Sequence, residues 1–394
     1  MDDLFPGKND ELPVDNLAPE SGPGEGTAGF SAKAQQREFL GGGGPKSEWP
    51  MGVKKSVEVN GKNWEYLEYG NPDGQPILNI HGWLGASAEG NEKVSRALAG
   101  EFQDSIAMQN LVETQIQEDG TEKTIDRSKK IREITEELKG KYRIVTPQLP
   151  GFGRSENLEN PTLDHMVDEL ASFQKQVGID SSVVFGSSMG GILGIKLAAR
   201  YPEQVKALIL QGTMTQPKDM KTLYYWMGKF ATLPLIKQGL EIIPGAGKFA
   251  KDAIFKPGIK KSMDFKLAGD EGRVMILNDV DNAQTQTVLS TLAGIGSHLE
   301  KEMENISAPV AVLDGVNGEL VPIATTKKIA DRFHLDTVQT EKYGDNSLGQ
   351  KIADRKVMYF QIGGVAGEHG HAVVNTAPEM VAIFINRAVD YFNK

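Results

Sequence analysis

A five-residue turn, Gly186-Ser187-Ser188-Met189-Gly190, constrains this chain more than any other feature, because of what stands on either side of it. A run of β-formers, Ser182, Val183, Val184 and Phe185, leads in. A helical stretch follows directly, Gly191-Ile192-Leu193-Gly194-Ile195-Lys196-Leu197-Ala198-Ala199-Arg200. A strand that passes into a helix through G-x-S-x-G turns so sharply that glycines must flank the centre to let neighbouring backbone pass. The turn lifts the Ser188 hydroxyl above a sheet at a helix N-terminus, where free N–H groups and the helix dipole favour developing negative charge. The pattern is short, so its weight rests on what accompanies it.

The accompaniment begins with Pro76-Ile77-Leu78-Asn79-Ile80, a continuous apolar run of the kind shown by parallel strands buried on both faces. Similar runs are Tyr142-Arg143-Ile144-Val145, Ala207-Leu208-Ile209-Leu210, Val310-Ala311-Val312-Leu313 and Val357-Met358-Tyr359-Phe360. Helical patterns separate them, which predicts an α/β fold with a doubly wound, mostly parallel sheet built from residues 51–213 and 306–394. Ahead of it, Val57, Val59 and Trp64 to Tyr69 predict a hairpin closed by Asn60-Gly61. In such sheets ligands bind beyond the carboxyl ends of the strands. Every motif below follows one of these runs.

Four stretches stand apart from the core pattern. Residues 1–50 are rich in Gly, Pro, Glu, Asp and Ser, a composition that cannot bury enough apolar surface to offset its ordering entropy, and they read as a disordered tail. The tail holds a literal G-x-G-x-x-G at Gly24, Gly26 and Gly29, with neither a strand before it nor a helix after it, so a dinucleotide site is not expected there. Residues 100–140 are highly charged, and Ile131, Ile134 and Leu138 recur at helical spacing, as in an amphipathic helix packed on the body or offered to a partner. Residues 214–305 lie between two sheet strands and carry Leu223-Tyr224-Tyr225-Trp226-Met227, Phe230, Leu233, Leu235 and Ile236, which reads as a helical cap over the site. Residues 336–356 read as a polar surface excursion.

Charge and cysteine content narrow the function classes. A formal net charge of −10 argues against nucleic acid or an anionic membrane as the main partner. Zero cysteines exclude disulfides, thiolate metal sites and cysteine nucleophiles. The six histidines are scattered and show no metal-ligand spacing, so neither metal nor cofactor is expected. No secretory signal and no membrane span are visible, which suggests a soluble, cytoplasmic protein.

Serine is a weak nucleophile and needs a base within hydrogen-bond reach. Gly367-Glu368-His369-Gly370-His371 follows the last strand, and Pro378-Glu379 opens the final helix. The Gly-His pairing and the distance to Pro378 favour His371 over His369 as that base. An oxyanion hole needs two backbone donors where charge develops. The Met189 N–H follows the nucleophile, and Trp83 in His81-Gly82-Trp83-Leu84-Gly85 supplies the second amide. His81 reads as a brace for that loop and not as a base.

These segments together resemble the α/β-hydrolase superfamily of esterases, lipases and carbon–carbon hydrolases. The resemblance runs from Val57 to Lys394 through His81 to Gly85, Pro147-Gln148-Leu149-Pro150-Gly151-Phe152-Gly153-Arg154-Ser155, Gly186 to Gly191, and Gly370-His371 with Pro378-Glu379. It implies Ser188 as nucleophile, His371 as general base, and the Trp83 and Met189 amides as oxyanion hole. Serine at position 188 disfavours the dehalogenase and epoxide-hydrolase branches, which use aspartate there.

The chain departs from the family at the triad acid. The family places an aspartate three residues after a glycine in this segment, where Leu313-Asp314-Gly315-Val316-Asn317-Gly318-Glu319-Leu320-Val321-Pro322 has Gly318. Glu319 is the first candidate acid, Asp314 the second, and the absence of a working acid a third reading. Gln148 stands where the family commonly has aspartate. The expected function is hydrolysis of a small carboxylic ester with an apolar or aromatic acyl group. Carbon–carbon hydrolysis and a catalytically weak ligand-binding protein on the same fold are the alternatives.

Overall fold

The computed structural model describes residues 52–83, 91–117, 121–216, 233, 246–260, 273, 277–278, 280–295, 298–315, 321–339, 357–362 and 373–394. Calls on the 1–50 tail and on the aromatic stripe from Leu223 to Ile236, Leu233 excepted, lie outside them.

The chain opens with the expected hairpin, β1 (Val53–Val59) and β2 (Lys62–Gly70), paired antiparallel with Val59 opposite Lys62. Asn60 and Gly61 both take positive φ, 47° and 78°, the backbone a two-residue hairpin turn requires. Then come β3 (Gln75–Ile80), β6 (Tyr142–Pro147), β7 (Ser182–Ser187), β8 (Val205–Gln211) and β9 (Val310–Gly315). With β10 (Asp336–Gln339) and β11 (Val357–Ile362) they form one nine-stranded sheet, ordered β1-β2-β6-β3-β7-β8-β9-β11-β10. From β6 to β10 every neighbouring pair is parallel.

Helices cover both faces, which is why the middle strands carry no polar alternation. All six residues of β7 are buried. On one face α4 (Leu163–Gln176) and α5 (Met189–Arg200) share a core with Leu78, Val184, Leu208 and Val312, and α8 (Thr285–Ile295) packs outside them on α4. On the other, α1 (Glu92–Leu98) and the C-terminal α12 (Pro378–Phe392) pack on Ile77, Val183, Ile209 and Leu313. Successive side chains of a middle strand such as β7 therefore enter different cores.

The charged stretch 100–140 differs from its sequence reading. It contains α2 (Ile106–Gln109), a separate antiparallel hairpin of β4 (Val112–Ile116) and β5 (Glu122–Asp126), and α3 (Lys129–Glu136). Ile131 and Leu138 are buried in the α12-side core and Ile134 packs against it, so this helix lies on the body. The start of the 336–356 stretch is also sheet, because β10 pairs with β11 at the sheet edge.

The described part of 214–305 is mostly helical. It comprises α6 (Ala246–Ala250), a π-helical turn (Lys251–Phe255), α7 (Lys256–Lys260), α8 and α9 (Glu300–Glu304). Two further helices, α10 (Ile323–Arg332) and α11 (Val373–Thr376), lie between β9 and α12.

Candidate active site

The carboxyl ends of β3, β7, β8, β9 and β11 lie along one edge of the sheet, because these strands are parallel neighbours. Ser188 stands at the β7 end, between the last strand residue and the first residue of α5. Its φ of 55° and ψ of −115° lie outside the regions L-residues favour, a conformation that costs about 1–3 kcal/mol and persists only where the surroundings enforce it. The enforcement is visible. The Ser188 N–H donates to the Gln211 carbonyl at 2.7 Å, and the neighbouring Ser187 hydroxyl donates to Gln211 Oε1 at 2.5 Å.

The flanking glycines answer a packing demand. A Cβ on Gly186 would lie 2.5 Å from the Gly190 carbonyl oxygen, and one on Gly190 would lie 2.1 Å from the carbonyl oxygen of Ile80. Strand β3 and the first turn of α5 therefore touch backbone to backbone. Ser188 is half-buried, and Met189 beneath it is fully buried. As the first helical residue, Met189 has an N–H with no acceptor within the helix.

The β3 end carries His81, Gly82 and Trp83 beside the elbow, since Ile80 is in register with Gly186. His81 is fully buried. Its Nε2 accepts the Leu149 N–H at 3.1 Å, and its Nδ1 lies 2.7 Å from the Gly82 carbonyl, which makes Nδ1 the protonated nitrogen. Burial drives its pKa from 6.5 down to about 4, partly opposed by the Gly82 hydrogen bond, so the ring is neutral. This is a brace between the β3 and β6 loops, as the sequence suggested.

Trp83 is half-buried, and its indole Nε1 donates to the Thr291 hydroxyl at 3.0 Å and to the Val288 carbonyl at 3.2 Å, both on α8. At the far end of the same loop, Asn91 Nδ2 donates to Asn79 Oδ1 at 2.7 Å. Asn79 Nδ2 in turn reaches Ser95 Oγ at 2.9 Å, all within the core.

Of the other expected site residues, Leu84, Gly85, Gly318, Glu319, His369, Gly370 and His371 lie outside the described residues. Asp314 is buried at the β9 end, with Oδ2 accepting from the Thr326 hydroxyl at 2.5 Å and Oδ1 from the Gly315 N–H at 2.9 Å. It is in register with Gln361 of β11, the strand that leads toward His371. Glu379, marked in the sequence only by its distance from His371, is fully buried and binds a remote segment. It accepts from the Gln103 N–H at 3.1 Å, the Ser105 N–H at 3.2 Å and the Ser105 hydroxyl at 2.5 Å.

The family model for the α/β-hydrolase fold matches residues 126–235, a span that holds the Ser188 elbow. The chain has the α/β-hydrolase fold. A pimeloyl-[acyl-carrier protein] methyl ester esterase of Aromatoleum aromaticum is 26% identical over 214 residues, 51% of this chain and 78% of that protein. Among solved structures, the enol-lactonase of Burkholderia xenovorans LB400 shares the fold with a TM-score of 0.55 at 15% identity, over 86% of this chain and all of that one. A meta-cleavage product hydrolase of Pseudomonas fluorescens IP01 does so with a TM-score of 0.52 at 18% identity, over 85% and 98%. Among the described residues, no helix is long and apolar enough to cross a membrane, and no cluster of residues suits a metal ion.

Four residues at the site escaped the sequence reading: Gln211, Thr291, and the pair Thr287 and Asn157, in which the Thr287 hydroxyl donates to Asn157 Oδ1 at 2.5 Å. Only the two threonines left a local trace. They stand four apart in Thr287-Val288-Leu289-Ser290-Thr291, beside the apolar positions Val288, Leu292 and Ile295 that face the core.

Proposed function

We propose that this protein is a serine esterase acting on a small carboxylic ester with an apolar or aromatic acyl group. The observation that carries the reading is Ser188, held in a strained conformation at the N-terminus of α5 and half-open to solvent. His371 takes the Ser188 proton as Oγ attacks the ester carbonyl. The tetrahedral oxyanion is received by the Met189 and Trp83 amides, and the alkoxide leaves with the proton from His371. Water, deprotonated by the same imidazole, then releases the acid and restores Ser188. The esterase relative from Aromatoleum aromaticum supports ester chemistry.

Glu319 or Asp314 orients His371. Glu319 is the candidate closest to the family's position, and Asp314 is the one buried beside the strand that leads to the histidine. Fluorophosphonate labelling and p-nitrophenyl ester turnover test the assignment. Ser188→Ala abolishes both, and whichever of Glu319→Gln and Asp314→Asn lowers turnover by orders of magnitude at unchanged folding identifies the acid. A well-folded protein that resists the probe refutes the reading.

A second reading is hydrolysis of a carbon–carbon bond in a vinylogous diketoacid. The Ser188-Met189-Gly190-Gly191 elbow and the fold shared with the meta-cleavage product hydrolase favour it. Rates on such an acid against rates on p-nitrophenyl esters separate the two.

A further inference from the structure

The indole of Trp83 is tied to α8. Its N–H is shared between the Val288 carbonyl and the Thr291 hydroxyl, and that hydroxyl donates onward to the Thr287 carbonyl at 2.7 Å. Because the Thr291 proton is committed to Thr287, its lone pairs are left to receive the indole, and the two bonds polarise each other. The Thr287 hydroxyl donates to Asn157 Oδ1 at 2.5 Å, and the Gln284 N–H donates to the Gly151 carbonyl at 2.7 Å. Residues 151 and 157 belong to the loop after β6, the loop whose Leu149 N–H is received by His81. Three segments far apart in sequence thus close a ring: the loop after β3, the loop after β6, and α8.

The ring has no evident need to exist for stability alone. Thr287, Thr291 and Val288 are fully buried, and α8 already packs its apolar side chains Leu292 and Ile295 into the core. What the hydroxyls add is direction. They hold one side chain of the β3 loop, and that side chain belongs to the residue whose amide the esterase reading assigns to the oxyanion hole.

We propose that Thr291, with Thr287 behind it, is a positioning residue for the oxyanion hole. It acts through the Trp83 indole, so that α8 sets where the Trp83 amide stands relative to Ser188. The inference rests on the esterase reading for its catalytic consequence, while its structural half stands independently. An oxyanion donor works only where the transition-state oxygen will be, and removing one outright lowers kcat by about 10²–10³. Loosening its support without removing it is expected to lower kcat by roughly 10–100-fold. The donor acts mainly in the transition state, so KM stays within about two-fold.

The test uses the full chain with Thr291→Val, Thr291→Ser, Trp83→Phe and the pair Trp83→Phe/Thr291→Val. The readouts are kcat and KM on p-nitrophenyl butyrate and hydrogen exchange of the peptide spanning residues 81–91. The expected result is a kcat loss in Thr291→Val that Thr291→Ser restores, and a double variant no slower than the worse single. Faster exchange in the 81–91 peptide should accompany the loss. Wild-type kcat in Thr291→Val, failure of Thr291→Ser to rescue, or exchange unchanged in Thr291→Val overturns the proposal. If the wild type turns over no ester and Ser188 is not labelled, the esterase reading falls, and the exchange comparison alone decides whether Thr291 holds the loop.

Discussion

Acid should loosen this fold through one ring. His81 is neutral in the core because both its nitrogens are committed, Nδ1–H toward the Gly82 carbonyl and Nε2 toward the Leu149 N–H. Protonating Nε2 would set two donors face to face in a site without solvent. Burial accordingly lowers the pKa from 6.5 to about 4. A histidine whose folded pKa lies below its unfolded value contributes fully above pH 6.5, and the contribution is lost as the pH falls toward 4. A gap of that size corresponds to about 3 kcal/mol. The perturbation is His81→Phe, which keeps a ring against Phe152, now 5.3 Å from the His81 ring centroid, and removes both hydrogen bonds. It strands the Leu149 N–H and the Gly82 carbonyl, at a cost of about 2–5 kcal/mol at pH 7.5. The assay is urea unfolding followed by tryptophan fluorescence, from pH 7.5 to 4, on both proteins. All other titrating groups cancel in the difference, so the wild-type advantage should shrink by about 3 kcal/mol across that window. A difference that stays constant with pH refutes the account of His81 as a buried neutral brace.

Glu379 offers a contrast, since burial, opposed by its hydrogen bonds to Ser105 and Gln103, raises its pKa. Glu379→Ala should cost about 2–4 kcal/mol by stranding three donors, whereas Glu379→Gln keeps the Oε1 acceptor and should stay within about 1 kcal/mol. A folded pKa above the unfolded one means stability lost as the pH rises, so the Gln variant should gain on wild type with rising pH through the carboxylate range, read from denaturation midpoints. Gly190→Ala forces a Cβ onto the Ile80 carbonyl and should destabilise by about 3 kcal/mol and abolish fluorophosphonate labelling, checked by thermal unfolding and gel readout. Lys196→Met should change stability by no more than about 1 kcal/mol in the same melts. Its partner Asp164 keeps Arg200 at 2.8 Å, and Glu302 is open enough to rehydrate.

The elements legible in the sequence are those whose burial is written locally. Val183, Val184 and Phe185 form an unbroken apolar run because both faces of β7 are covered, and Asn60-Gly61 announces its turn by backbone preference alone. The β4–β5 hairpin was illegible for the opposite reason. Val112 is 43% and Ile116 76% exposed, so its strands are held by pairing and not by burial, and no hydrophobic period marks them. Strand β10 is four residues long at a sheet edge, too short to carry a pattern. At the site, the elbow and the His81 brace were readable from spacing. The Trp83–Thr291 bond joins residues 208 positions apart and the Glu379–Ser105 bond residues 274 apart, and neither side chain carries a mark of its distant partner.

The β4–β5 hairpin stands on a narrow neck. The Arg127 N–H donates to the Leu111 carbonyl at 3.0 Å, closing the segment where it leaves and rejoins the body. Just before the neck, Glu379 grips residues 103 and 105, and just after it α3 seats Ile131 in the core. Both gateposts are thus founded on the sheet face that α12 covers, while the hairpin itself gives Val112 and Ile116 to solvent. For an engineer this is an insertion port. A foreign peptide whose ends meet as 112 and 126 do would find its socket already built, and the strands that present Ser188 would carry it as cargo.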